Sequence, residues 1–359
     1  MAGLVAAARL RQLGRDATLH EKGSRLGGSM LLSSGVVWRH REWDVFRREC
    51  PDGDEGLQRL VWERLDDGIE WLRSLGAPVV WEETGNPLTV GKRFEPAGLV
   101  SALAAAAGAI ELGSAEIGDG PSILCTGGFA ASAGLVARYI APAAPLRLRA
   151  SPWSTGDGLE HALARGAATS VGLAEFYGRN MPDGPWGERD FVRASQLYGR
   201  LARIFDKAGE EFFAATDVSW SETNVVQATA RRPGARAFYL LDEAALGRRV
   251  REQTVADLVA AAPSEARVEV ADLPFPAPAG TVAAVRVSAA ITHTIGGLVV
   301  DERARVLQAD GTAIDGLWAA GVDVGGVAAG GYASGLAQAL VLGLVAAEDV
   351  SRTQSRPNE

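Results

Sequence analysis

The feature that most constrains this chain lies near its C-terminus. Thr292-His293-Thr294-Ile295-Gly296-Gly297-Leu298 is followed by Gly316-Leu317-Trp318-Ala319-Ala320-Gly321. A glycine-rich run from Gly325 to Gly335 then opens an apolar helix. This is the pattern of a buried strand reaching a bend, with glycines that let another group approach the backbone closely. The amides at a helix N-terminus are where anionic or polar cofactor groups dock.

Composition removes several function classes. The length, 359 residues, allows two domains or one large one. Hydrophobic residues make up 47% and charged residues 22%, as in an ordinary globular enzyme. The net charge is −8 with no basic block, which argues against a nucleic-acid partner. No apolar run has the length of a membrane span and the N-terminus lacks a signal-peptide pattern, so no transmembrane segment is expected and the cytoplasm is the expected compartment. The two cysteines, Cys50 and Cys125, are far apart and suit a reducing environment. Four histidines without ligand spacing predict no metal centre.

Along the chain, Ala2–Leu13 reads as a helix stopped by Gly14, and Ala17–Glu21 as a short strand ending in an acid. Leu57–Leu75 and Leu99–Ala107 have helical periodicity and end at Gly76 and Gly108. Ser122–Thr126 is a short apolar strand, and Leu159–Arg165 a helix. Aromatic and charged residues become more frequent from about Gly172 to Ala290, where Arg249–Ala262 reads as an amphipathic surface helix. The chain returns to strand–helix punctuation at Val285, and its polar tail is expected to fray.

A dinucleotide-binding fold needs a strand, a G-x-G-x-x-G turn, a helix, and an acid ending the second strand about 20 residues on. Gly3 matches the last of those glycines, Ala2–Leu13 the helix and Glu21 the acid. The first strand and first two glycines of the fingerprint are not in the sequence, and taken alone Gly3 and Glu21 also suit a plain surface helix and strand. Glu21-Lys22 leads into Arg25-Leu26-Gly27-Gly28-Ser29 and then Ser33-Ser34-Gly35. Leu124-Cys125-Thr126-Gly127-Gly128-Phe129 and Thr155-Gly156-Asp157-Gly158 follow in order. Each motif alone is an ordinary glycine turn. Their order resembles the fumarate reductase / succinate dehydrogenase flavoprotein superfamily, which includes the 3-ketosteroid Δ1-dehydrogenases. The likeness runs from Met1 to about Glu348, with a further family segment shortened between Leu103 and Ser122.

The resemblance implies an α/β fold: a discontinuous Rossmann-like FAD-binding domain at 1–171 and 285–350, an inserted α+β substrate cap at 172–284, and a frayed tail at 351–359. It implies FAD held by Gly3, Glu21, Lys22, Gly27, Gly28, Ser29, Ser33, Ser34, Gly35, Thr126, Gly127, Gly128, Asp157, Gly321, Asp323, Ser334, Gly335 and Leu336. Members with covalent flavin carry a histidine near Ser33–Gly35; none occurs in that segment, so FAD is expected to be non-covalent. Cys125 reads as a small buried residue rather than a redox thiol.

His293 matches the family's substrate-site histidine. Tyr332 stands where fumarate reductases place a substrate-clamping arginine, and Phe212–Ser221 lacks their proton-delivering arginine. Two carboxylates need cationic clamps, so succinate and fumarate fit poorly. A tyrosine there resembles the ketosteroid dehydrogenases, although their Tyr-Pro-Gly is Tyr332-Ala333-Ser334 here. Tyr332 and His293 are expected to donate to a substrate carbonyl. Tyr177 is either a further site hydroxyl, positioned as a base, or a buried aromatic. The expected activity is oxidation or reduction of a C–C bond next to a carbonyl in a small molecule, with an unidentified electron donor or acceptor. The alternative is a truncated or degenerate flavoprotein that binds FAD weakly and serves as a scaffold.

Overall fold

A computed structural model describes residues 1–118, 120–250 and 253–353. The chain is mixed α/β with several separate sheets. It divides into two compact units: Met1–Leu135, Ala150–Glu175 and His293–Glu359 form the first, and Val136–Arg149 with Phe176–Thr292 the second.

The first unit is built around the C-terminal helix Gly335–Thr353, which is buried almost without break from Ala337 to Ala347. An apolar sequence on all sides of a helix requires neighbours on all sides. One neighbour is the opening helix, Ala2–Gln12, where Ala2, Leu4–Ala8 and Leu10 are buried. The other is Glu55–Ser74, which buries Leu57, Val61, Leu65, Ile69 and Leu72 along one stripe. Asp54 starts that helix by accepting the Leu57 amide at 2.8 Å.

Short sheets flank these helices. Thr18–Glu21 pairs in parallel with Ala109–Leu112. Ser122–Leu124 pairs in parallel with Ala313–Ala319, whose other neighbour is the antiparallel strand Arg305–Leu307. Val36–His40, Thr89–Phe94 and Val79–Trp81 form an antiparallel sheet. Pro96–Ala107 opens with Glu95 as its cap.

The second unit centres on a seven-stranded sheet around Ala283–Thr294, the last two residues of which belong to the first unit. Alternation sorts its side chains onto two faces. Ala237, Tyr239 and Leu241 join Ile204, Val285 and Val287 in one apolar cluster, while Phe238 and Leu240 join Phe205, Ala284 and Phe275 in the other.

Two sequence expectations need correction. Arg249–Ala262 is not one helix: Arg249–Val250 and Gln253–Thr254 form a small antiparallel pair, and the helix spans Val255–Ala261. Thr254 and Asp257 form a capping box, which fixes the helix start there. At the C-terminus the helix continues through Thr353, because Arg15 donates to the Ser351 carbonyl at 2.8 Å and its hydroxyl at 3.3 Å. Residues 354–359 of the expected tail lie outside the described residues.

Gly343 marks how tightly the two buried helices approach. A Cβ there would lie 2.9 Å from the Ala2 carbonyl and 3.0 Å from a Val5 methyl. Gly343→Leu is therefore expected to destabilise the protein by about 1–3 kcal/mol through overpacking. A urea midpoint equal to wild type would contradict this packing.

Candidate functional site

The site begins where two parallel strands end level. Leu317, Trp318 and Ala319 stand opposite Ser122, Ile123 and Leu124. The turns that follow, Thr126–Gly128 and Gly321–Asp323, therefore meet. Asp323 is 2% exposed and accepts from the Thr126 amide, from the Thr126 hydroxyl at 2.8 Å and from the Gly128 amide at 3.0 Å. Burial raises its carboxyl, and these donors pull against that rise. The Thr126 hydroxyl also accepts the Gly158 amide at 3.1 Å, tying in the first turn of Asp157–Ala164. The Asp323 carbonyl accepts Leu298 at 2.8 Å, and the Gly321 carbonyl accepts Gln338 Nε2 at 2.8 Å.

This alters the chemistry expected of the turn. The amides from Thr126 to Gly128 serve Asp323, so this turn offers close backbone approach rather than free amide donors. Cys125 beside them is inert, its thiol pushed up to about 12 by burial.

Opposite lie the N-terminal candidates. A Cβ on Gly3 would lie 2.9 Å from a Leu19 methyl and 3.4 Å from Cys125 Cβ, which explains the glycine. The Glu21 carboxylate folds back to accept the Gly23 amide at 2.7 Å. The Lys22 ammonium donates to the Thr155 hydroxyl at 2.7 Å and to Asp157 at 2.8 and 3.1 Å. Gly27 and Gly28 have φ of +103° and +49°, and no atom lies within 4 Å of where a Cβ on Gly28 would stand. That is a left-handed turn facing open space. Ser29 accepts the Ser151 amide at 3.0 Å, and Ser33 accepts Gly35 at 3.0 Å while donating to the Met30 carbonyl at 2.8 Å. The Ser34 carbonyl accepts Arg93 at 3.1 Å.

The glycine-rich loop carries the third group. Ser334 caps the last helix by accepting Ala337 at 3.2 Å, with Gly335 and half-buried Leu336 in its first turn. His293 Nε2 lies 3.3 Å from the position of a Cβ on Gly335. Its Nδ1 is 3.1 Å from the Thr294 carbonyl. Tyr332 is half-buried with its ring 5.5 Å from that of Trp38. Tyr177 is in the second unit, in the strand Phe176–Pro182, with the Arg179 guanidinium 5.0 Å over its ring.

Sequence reasoning missed what holds Tyr332. Gln58, fully buried, donates to the carbonyls of Cys50 and Val327 at 2.9 Å each. The Asp54 amide donates to Gly326 at 2.8 Å, and Gly330 donates to Glu175 at 2.8 Å. A side chain on Gly331 would collide with the Glu49 carbonyl. His40 Nε2 makes a long 3.4 Å contact to the Tyr332 carbonyl, with Cys50 on the same peptide. Burial pushes His40 down to about 4, so it is neutral at pH 7. Gln58 reads as an ordinary helical residue, and nothing in the spacing points to this clip.

A sequence model of the FAD binding domain family matches residues 113–335. The chain belongs to that family. FAD is the cofactor of this flavoprotein, and the family is one of FAD-dependent oxidoreductases. The flavoprotein is 22% identical to a probable fumarate reductase, Ifc3, of Shewanella frigidimarina (strain NCIMB 400), over 98% of its own length and 73% of that protein. Its fold matches the open conformation of a flavocytochrome c3 fumarate reductase with a TM-score of 0.71, at 20% identity, covering 99% of this chain and 77% of that one. It also matches 3-ketosteroid-Δ4-(5α)-dehydrogenase from Rhodococcus jostii RHA1 with a TM-score of 0.69, at 17% identity, covering 98% and 94%. Among the described residues no helix is long and apolar enough to cross a membrane.

Asp323→Asn should lower stability by about 1–3 kcal/mol, because its amide nitrogen would face an amide donor in a buried site. An unchanged melting temperature would remove Asp323 from this role. His40 gives a pH signature. Its folded value of about 4 lies below its ordinary 6.5. Between those values the unfolded chain takes a proton that the folded chain refuses. Stability should therefore fall as pH drops from 6.5 to 4, by about 3 kcal/mol from this group. Urea midpoints should show a shallower fall for His40→Gln; identical slopes would contradict a buried neutral His40.

Proposed function

We propose that this flavoprotein dehydrogenates or reduces a C–C bond activated by a neighbouring carbonyl in a small molecule. The observation that carries this is Tyr332. A phenol stands on a loop clipped along its length, three residues before the last helix, whose first residue Gly335 faces His293 Nε2, and no arginine lies between Gly325 and Gly335. A hydroxyl suits a ketone oxygen, whereas a dicarboxylate calls for guanidinium forks. The ketosteroid dehydrogenase likeness points the same way.

In this reading the first unit is a Rossmann-like FAD-binding domain and the second a substrate cap. Gly3, Glu21, Lys22, Gly27, Gly28, Ser29 and Ser33–Gly35 would hold FAD on one side, and Gly321, Ser334, Gly335 and Leu336 on the other. FAD, when bound, supplies hydride transfer. The chain's own part is to hold the ketone and move a proton. The Tyr332 hydroxyl donates to the carbonyl oxygen and steadies the charge that gathers there as the α-carbon loses its proton. Because the loop is fixed before substrate arrives, little reorganisation is needed. The cofactor is non-covalent, the compartment cytoplasmic, and an external donor or acceptor balances the electrons.

The test is turnover of a ketone panel, cyclohexanone and 4-androstene-3,17-dione included, with an artificial electron acceptor. Tyr332→Phe should cut kcat by about 10²–10³ while FAD content stays unchanged. Full turnover by the variant would reduce Tyr332 to a packing residue. Acid denaturation of the holoprotein should release all flavin into the supernatant; yellow colour left on the precipitated chain would contradict non-covalent binding.

A further inference from the structure

Strand pairing in the second unit places three arginines on one face of its sheet. Along Ala283–Thr294, alternation sends Arg286, Ser288 and Ala290 to the same side. Arg236 is the strand partner of Ser288, and Arg147 that of Ala290. Directly opposed residues share a face, so Arg286, Arg236 and Arg147 stand in successive rows. Asp183 is the carboxylate they pair with among the described residues: its Oδ2 accepts Arg236 Nε at 2.8 Å and Arg286 Nε at 2.7 Å. The other fixings are neutral. Arg147 donates to the Gly184 carbonyl at 2.6 Å and more distantly to that of Pro182 at 3.5 Å, and its guanidinium lies 3.9 Å over the Trp186 ring. Arg286 also donates to the Glu265 main-chain oxygen at 3.2 Å. Burial pulls the Arg147 guanidinium below its ordinary value; Asp183 opposes that shift and the Arg236 charge adds to it. Three cations therefore crowd around one anion. Within the same rows the Ser288 hydroxyl is buried, on a residue 5% exposed, and has no hydrogen-bond partner among the described residues. A buried hydroxyl left unpaired is costly.

We propose that this face of the second unit is a binding site for a dianionic phosphate, held by the guanidinium groups of Arg147, Arg236 and Arg286 and by the Ser288 hydroxyl. Two positive charges remain once Asp183 is set against the three arginines, which matches a phosphate dianion. A guanidinium has N–H donors to spare after one Nε bond, and its fork fits two oxygens of one phosphate. The Arg236 and Arg286 side chains are 53% and 37% exposed, so an anion reaches them from solvent. Main-chain carbonyls and the Trp186 indole fix Arg147 and Arg286 in advance, which spares part of the ordering cost of binding. Asp183 plays two opposed parts. It holds two Nε atoms in place, and its charge weakens the grip on a second anion. Free phosphate and the phosphate of a monoester present the same oxygens here. None of the residues expected to hold FAD or the ketone belongs to this group.

The test is calorimetric titration of the FAD-loaded full chain with inorganic phosphate and, separately, with glycerol 3-phosphate. Ionic strength is held constant with sodium chloride, because salt screens exposed charges. Saturable binding of one phosphate per chain is expected, with no saturable binding of the monoanion acetate. Arg147→Gln and Arg236→Gln should each weaken phosphate binding by about tenfold or more, the effect of losing a charge-assisted hydrogen bond. Arg236 is half exposed, so its replacement leaves the fold intact. Arg303→Gln, at an exposed position of the first unit, should leave the affinity unchanged. Asp183→Asn keeps an oxygen that accepts from Nε but carries no charge, and should bind phosphate more tightly than wild type, which a merely structural role would not produce. Tighter binding of glycerol 3-phosphate than of phosphate would identify an ester as the ligand, and the reverse the free ion; the site stands in both cases. No saturable binding of either compound by wild type would overturn it. So would wild-type affinity in both Arg147→Gln and Arg236→Gln, or acetate binding as tightly as phosphate.

Discussion

The carboxylate of Asp323 is the interaction on which the site depends. A buried carboxylate is costly unless donors surround it. Asp323 is supplied with main-chain amides and a hydroxyl, all from Thr126 to Gly128. Those bonds lock together the turns that end two parallel strands, and through the Thr126 hydroxyl they reach the helix Asp157–Ala164. Through the Asp323 carbonyl they reach Leu298, on the segment that follows His293. Four stretches far apart in sequence are thus joined through one residue. The close approach of these backbones follows from this cross-link.

A second constraint acts on the glycine-rich loop. The loop from Gly325 to Gly335 contains the glycines expected of a flexible segment, yet it is held at Gly326, Val327, Gly330 and the Tyr332 peptide. Gly331 is needed because the chain passes against the Glu49 carbonyl, not because the loop must move. Glycine here serves close packing. A donor carried on such a loop is preorganised, and preorganised dipoles stabilise developing charge more effectively than mobile ones.

Much of this was legible in the residues. Helical periodicity located Ala2–Gln12, Glu55–Ser74 and Pro96–Ala107 to within a few residues, because apolar spacing and terminal glycines agree there. The glycine motifs pointed to the family that residues 113–335 match. What stayed hidden depends on pairing across long separations. Asp323 reads as a cofactor contact until its 2% exposure and its bonds to Thr126 and Gly128 are known. Gln58 and His40 look like unremarkable helix and strand residues, and only tertiary packing makes them clips. The contact between His293 Nδ1 and the Thr294 carbonyl depends on where the backbone points, which spacing cannot reveal. The start of the helix at Val255 was in principle readable from Thr254 and Asp257, but amphipathic spacing from Arg249 onward masked it.

The central claim is that the site receives a ketone rather than a dicarboxylate. The most direct measurement is a titration of the FAD-loaded protein, followed through the flavin absorption bands, with 4-androstene-3,17-dione in one series and succinate or fumarate in the other. Ligands seated on the reacting face perturb those bands. The account predicts a saturable perturbation by the ketone, weakened in Tyr332→Phe, and none by the dicarboxylates. Saturable perturbation by succinate or fumarate with no response to the ketone would contradict it.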